Sequence, residues 1–424
     1  MKLSIAFFLQ MFVILAACRL FGWLVRRWLR QPQVIGEMIA GVVLGPSLLG
    51  LVAPEVQAYL FPPESKAALY VVAQLGIGLY MFLVGLDFRS DDFRANAPSA
   101  VAVSVSGIAV PFLVAIVGTP FLMNVPGLFT AGVSTFNATL FLGAAIAITA
   151  FPVLARIIED RGLNGSLIGT LSLSAAAIGD AIAWCVLAVV LASLGAGASV
   201  AVIAIVGGIV LSAVMIFLGP RMFAPLGRLA EQERAAGQPL SFTVLAAALM
   251  LFTLSAWFAD FIGLHAVFGG FLIGTAMPRG AFVERLKQLL QPFTVVFLLP
   301  VFFTYSGLNT RLTMVNTPQL LWIALGILAA SIFAKLVACW AAARLSGQDH
   351  RSALGIGALM NARGLTELII LNIGLQAGII GTSLFSMLVL MAIVTTLMAS
   401  PLFEAFYGRF ARARGELPPL KGLR

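Results

Sequence analysis

Long apolar runs, interrupted at intervals by short polar or basic stretches, make up almost the whole of this chain. A helix rises about 1.5 Å per residue, so about 20 apolar residues cross a hydrocarbon layer about 30 Å thick. On that ruler the pattern predicts about thirteen spanning helices, at residues 4–25, 33–52, 66–86, 98–123, 137–158, 166–194, 199–219, 240–261, 263–277, 289–308, 318–345, 352–375 and 381–406. The break near Ile262 is the weakest, because two short spans there also read as one long one. The predicted class is an all-α polytopic membrane protein.

Two of these spans carry the marks of discontinuous helices. In the span at 137–158, Pro152 removes a backbone donor and crowds the preceding turn, so the carbonyls around Ile148 and Thr149 lose their usual partners. In the span at 352–375, Asn361, Arg363, Gly364, Thr366 and Glu367 fall at mid-segment, where a lipid-facing helix does not tolerate them. The order of oddities repeats. A broken helix precedes the span holding Asp180, and in the second half the span holding Lys335 precedes a broken helix. Inverted repeats whose discontinuous helices cross near the bilayer midplane have this form, although no letter-for-letter repeat is visible.

Composition supports the class: 61% of the 424 residues are hydrophobic and 10% charged, against about 25% charged in soluble domains. The net charge of +9 reads as topology and not as nucleic-acid binding. Arg26, Arg27, Arg30, Arg89, Arg94, Arg156, Arg161, Arg221, Arg228, Arg234, Arg279, Arg285, Lys287, Arg344 and Arg351 fall in alternate loops, whereas Lys2, Lys66 and Arg311 fall on the other side. The positive-inside rule then places the amino terminus outside and a basic tail in the cytoplasm. Cys18, Cys185 and Cys339 lie far apart in apolar segments, which indicates packing and neither a disulfide framework nor a metal cluster.

An ionisable residue at membrane depth is a functional candidate by default. Asp180 is the principal one. Lys335, Arg363 and Glu367 are the buried charges available to it, and Arg363 and Glu367 stand four residues apart, as a local ion pair requires. Hard oxygen donors from Asp180, the Thr149 hydroxyl and freed carbonyls near Ile148 suit a monovalent cation. Glu37 is expected to pair with the basic loop at Arg26–Arg30, and Asp260 with His265 to form a solvated turn. Gly41, Gly45, Gly85, Gly269 and Gly270 read as small faces for close helix packing.

Eight segments, in order, resemble the second cation:proton antiporter family: QPQVIGEMIAGVVLGPSLLG, GIGLYMFLVGLDF, TAFPVLARIIEDRGL, AAAIGDAIAW, IGLHAVFGGFLIGTAMP, LPVFFTYSGL, MNARGLTELIILNIG and LVLMAIVTTLMASPLF. The resemblance covers nearly the whole chain. It implies thirteen helices with two crossing, unwound ones, divided into a scaffold that forms a homodimer and a mobile core working as an elevator. Residues 1–97 would be scaffold helices 1–3, 98–195 core helices 4–6, 196–220 a linker helix, 221–317 scaffold helices 8–10, 318–406 core helices 11–13, and 407–424 the cytoplasmic tail. It maps the family's ion-binding aspartate onto Asp180 and its core lysine onto Lys335. Family members commonly carry Asp or Asn immediately before that aspartate, where this chain has Gly179, so Lys335 loses a usual neighbour.

The expected function is therefore monovalent cation (Na+ or K+)/proton antiport in the inner membrane, electroneutral because a single acid faces the ion, with proton and cation competing for Asp180. No cofactor, nucleic-acid partner or fused nucleotide-binding regulatory domain is expected. Two other readings stay open: export of a small organic solute against protons, with Gly179 enlarging the site, and a transport-inactive membrane sensor. An intramembrane enzyme would need paired acids or a His and Cys metal set that the sequence does not display.

Overall fold

The computed structural model describes residues 3–29, 31, 33–88, 90–192, 197–308 and 317–417. Lys2, Arg30, Arg89 and Arg311, which entered the charge argument, lie outside the described residues, as do the side chains of Arg94 and Thr366. Among the described residues, eleven helical spans are long and apolar enough to cross a membrane, joined by the shorter apolar helix Ala266–Ala276. The half-helices His350–Leu359 and Leu365–Gln376 complete the order of thirteen segments. Phe8, Phe12, Phe242 and Trp322 point outward with most of their surface exposed, as lipid-facing side chains do.

Helix starts follow local chemistry. Ser134, Ser166, Ser241, Thr317 and Asp349 each accept a hydrogen bond from a first-turn backbone N–H, a donor that otherwise has no intrahelical partner. The break near Ile262 exists: Phe242–Phe261 ends in a turn, and Ala266–Ala276 begins after it. Other ends differ from expectation. The helix Ser90–Met123 continues through Pro98, Pro111 and Pro120, so it starts before the predicted boundary at Pro98.

The basic loops also need correction. Arg221, Arg228 and Arg234 lie on the helix Gly219–Ala235, joined to Ala198–Ala213 through a π turn at Val214–Leu218. Arg285 and Lys287 likewise lie on Ala281–Phe293, which continues through another π turn, Thr294–Leu298, into Leu299–Leu308. Charge ends the lipid-buried stretch without ending the helix, because water or headgroups can solvate a polar helical face.

Burial separates central from peripheral segments. The broken span Thr135–Asp160 has 89% of its most apolar window buried, against 17% for Ala198–Ala235, which makes the broken span the centre of the molecule. The glycines expected to form small faces do so: Gly41 and Gly45 sit against the backbone of Phe303 and Gly307, Gly85 against Phe271, Gly269 against Ser255 and Gly270 against Gly78. A Cβ at any of these would collide with backbone, so the helices approach more closely than side chains allow. The loop before the first broken span pairs with the loop after the second: Thr130 N donates to Ile379 O (3.2 Å) and Gly381 N to Leu128 O (2.7 Å). The two halves are thereby tied together at these loops.

Candidate functional site

The first broken span divides into Thr135–Ala147 and Phe151–Asp160, with Ile148, Thr149 and Ala150 extended between them. Pro152 occupies the second position of the later half, where a missing N–H costs nothing. The second broken span divides at Met360–Gly364. The two breaks cross and bond directly: Ala150 N donates to Ala362 O at 2.9 Å, and Thr149 Oγ1 donates to Met360 O at 2.8 Å. Gly364 lies against Val153 and Ala150, where a Cβ would strike the Val153 side chain.

A helix end buried at such a crossing leaves its last carbonyls without partners and carries a partial negative charge. Two cations answer that need. Arg363 donates to Ala145 O (2.9 Å) and Ile146 O (2.5 Å) and also to Ser331 Oγ, while Lys335 Nζ donates to Ala147 O. Glu367 sits in the first turn of Leu365–Gln376, at the positive end of that half-helix, with Arg363 at 3.7 Å as the expected ion pair. The Arg363 backbone is pinned by Thr396, whose hydroxyl accepts from Arg363 N (2.9 Å) and donates to Arg363 O (2.7 Å). Asn361 Nδ2 donates locally to Gly357 O (3.0 Å) and leaves its Oδ1 unpartnered.

Asp180 lies on the helix Leu167–Leu191, which packs against both halves of the first broken span. It is 1% exposed, and its Oδ1 has no hydrogen-bond partner. The neighbouring serines do not satisfy it: Ser174 donates to Thr170 O (2.6 Å), and Ser172 Oγ is itself unpartnered. Among the described residues no hydrogen bond or ion pair joins Asp180 to Lys335, which is committed to Ala147 O. A Cβ at Gly179 would meet Ser104 Oγ at an ordinary 3.4 Å. What the arrangement offers is a buried carboxylate with a free oxygen, on a helix packed against both halves of a broken span whose hydroxyl and carbonyls are fixed at the crossing.

Residues 7–406 match the family model described as sodium/hydrogen exchanger, transmembrane. The chain belongs to that family. It is 39% identical over 405 residues to the Na(+)/H(+) antiporter NhaS4 of Synechocystis sp., covering 93% of this chain and 95% of that protein. It is also 33% identical over 415 residues to cation/H(+) antiporter 18 of Arabidopsis thaliana, of whose length it spans 50%. The K(+)/H(+) antiporter 1 of Saccharomyces cerevisiae is 32% identical over 414 residues, 46% of its length. The solved structure of the sodium proton antiporter MjNhaP1 from Methanocaldococcus jannaschii superimposes with a TM-score of 0.62 over 97% of this chain and 99% of that one, at 16% identity, which shows a shared fold. The family and these relatives are antiporters, not enzymes.

Within this family member Glu37 takes another role than expected, whereas Asp260 and His265 flank the expected turn, with Asp260 exposed. Glu37 accepts from Gln33 (2.8 Å) and faces the charges of Arg156, Asp160 and Arg19, not those of Arg26 and Arg27. The broken-helix end at Arg156, not the nearest basic loop in sequence, is its electrostatic neighbour. Asp260 Oδ1 accepts from Ala266 N (2.8 Å) and His265 Nδ1 from Val267 N (3.3 Å), so both cap Ala266–Ala276.

Several polar residues that the sequence did not single out join the site's surroundings. Glu159 receives Tyr80 Oη (3.0 Å), Arg156 (3.1 Å) and Gln291 Nε2 (2.7 Å), and Lys287 binds Asp87 at 2.6 Å. Of these, Glu159, Gln291, Lys287 and Asp87 line an open crevice of about 510 Å³ with Glu284 and Gln288. Glu159 stands three residues after Arg156 in the TAFPVLARIIEDRGL motif, and that spacing was its only available signal. Its partners on two distant helices had none.

Proposed function

We propose that this chain is an electroneutral monovalent cation/proton antiporter of the second cation:proton antiporter type, exchanging Na+ or K+ for H+ at Asp180. The observation that carries the reading is the buried Asp180 carboxylate with an unsatisfied oxygen, on a helix packed against two crossing broken helices. One anionic site of this kind holds either a proton or a bare cation, and competition for it couples the two fluxes. Thr149, whose hydroxyl hydrogen is occupied by Met360 O, keeps lone pairs for a cation, and the extended backbone at Ile148 adds a carbonyl. The residue before Asp180 is Gly179, so a second acid is lacking there, which supports exchange without net charge movement.

The same proposal assigns residues 98–195 and 318–406 to a core that moves as an elevator against a dimer-forming scaffold, in an inner membrane with the basic loops cytoplasmic. The crossing fits this division because both broken helices and the helices of Asp180 and Lys335 bond or pack together and would travel as a unit. In proteoliposomes, Asp180→Asn is expected to abolish cation-driven proton movement while the protein keeps its thermal transition. Wild-type exchange by that variant would overturn the assignment, and a voltage-dependent flux in the wild type would overturn electroneutrality.

A further inference from the structure

Trp184 follows Asp180 by four residues on the helix Leu167–Leu191, a spacing that stacks two side chains on one helical face. Its ring is 6% exposed, and its Nε1 has no hydrogen-bond partner. Buried indole N–H groups ordinarily find an acceptor, because leaving such a donor unmatched is unfavourable. One turn earlier on the same helix, Asp180 Oδ1 is likewise unmatched. An indole can only donate and an ionised carboxylate can only accept, so the two orphans are chemically complementary.

The ring is also held from behind by a separate element. It stacks on His265 with centroids 5.1 Å apart and planes inclined by 22°, and His265 is fixed in turn by Val267 N. Packing alone would be served as well by a phenylalanine. Charged or titratable groups on the elements around this helix are Lys335, Arg363 and Glu367 at the crossing, Arg156, Glu159 and Asp160 on Phe151–Asp160, and His265 behind the indole; Lys335, Arg363 and Glu367 are engaged with carbonyls or with one another, and Arg156 pairs with Glu159 and Asp160.

We propose that Trp184 is a positioning residue for ion exchange: its indole N–H donates to the ionised Asp180 carboxylate, fixing the oxygen that receives the monovalent cation. The inference rests on Asp180 being the exchange site. Stabilising the charged form by this bond favours release of the proton and so favours the cation in the competition. Loss of the donor leaves the ring stack intact and tips that competition toward the proton.

The test compares Trp184→Phe with Asp180→Asn in proteoliposomes, measuring Na+- and K+-driven proton flux against pH. The Phe variant is expected to keep its maximal rate and thermal transition. The pH of half-maximal exchange should move about one unit to the alkaline side, and the apparent KM for the cation below that pH should rise about tenfold. Placing 3-benzothienylalanine at position 184, which keeps the ring shape and lacks the N–H, should produce the same shift without any packing change. An unchanged pH profile and KM in both variants, with Asp180→Asn inactive, would reduce Trp184 to a packing residue. Normal exchange by Asp180→Asn would instead remove the exchange site itself.

Discussion

Replacing Arg363 by methionine tests whether the crossing is held by charge. The variant removes donors from Ala145 O, Ile146 O and Ser331 and leaves Glu367, which is fully buried, without its 3.7 Å partner. Removing one member of a buried pair costs about 3–5 kcal/mol. Each carbonyl left without a donor adds about 1–3 kcal/mol. Glu367 will take up a proton rather than stay charged, which limits the pair contribution to its lower end, so about 5 kcal/mol is expected in all. Glu367→Gln added to Arg363→Met removes the stranded charge and should recover about 2–3 kcal/mol, since a buried pair replaced on both sides is often nearly neutral. Equilibrium unfolding in mixed micelles of the wild type, both single variants and the double variant gives the coupling directly. A double variant no more stable than Arg363→Met would refute the pairing, and a loss under about 1 kcal/mol for the single variant would refute the capping of the half-helix.

Three further outcomes follow from the same geometry. Lys335→Gln keeps a donor for Ala147 O without the charge; it should lower stability by about 1–3 kcal/mol while the cation-to-proton ratio in proteoliposomes stays that of the wild type. At Asp349, burial raises the carboxyl, and the hydrogen bonds from Ser352 and from the Ser352 and Arg351 backbone outweigh it, so the net shift is downward. That stabilisation is present above the ordinary carboxylate value of about 3.9 and is lost as pH falls through the lower folded value, and Asp349→Ala should cost about 1 kcal/mol in neutral unfolding measurements. His265→Ala removes the acceptor for Val267 N at the start of Ala266–Ala276 and should cost about 1 kcal/mol in unfolding measurements.

The sequence by itself determined the class, the order of helices and the two breaks, because each is a local consequence of chemistry. Apolar runs longer than a bilayer is thick must span it, Pro152 cannot continue the helix before it, and Arg363 with Glu367 on one turn form their own ion pair. Asp180 was legible for the same reason, as an acid that apolar sequence leaves without water. Helix ends were less legible where basic residues follow a span, since Arg221 to Arg234 and Lys287 continue helices outside the lipid. Only the tertiary structure decided which carbonyls Lys335 and Arg363 would bind, that Glu37 would face Arg156, and that Tyr80 and Gln291 would meet at Glu159. Those contacts join helices far apart in the chain, and their partners are set by how half-helices cross, a geometry that hydrophobic spacing along one segment does not encode.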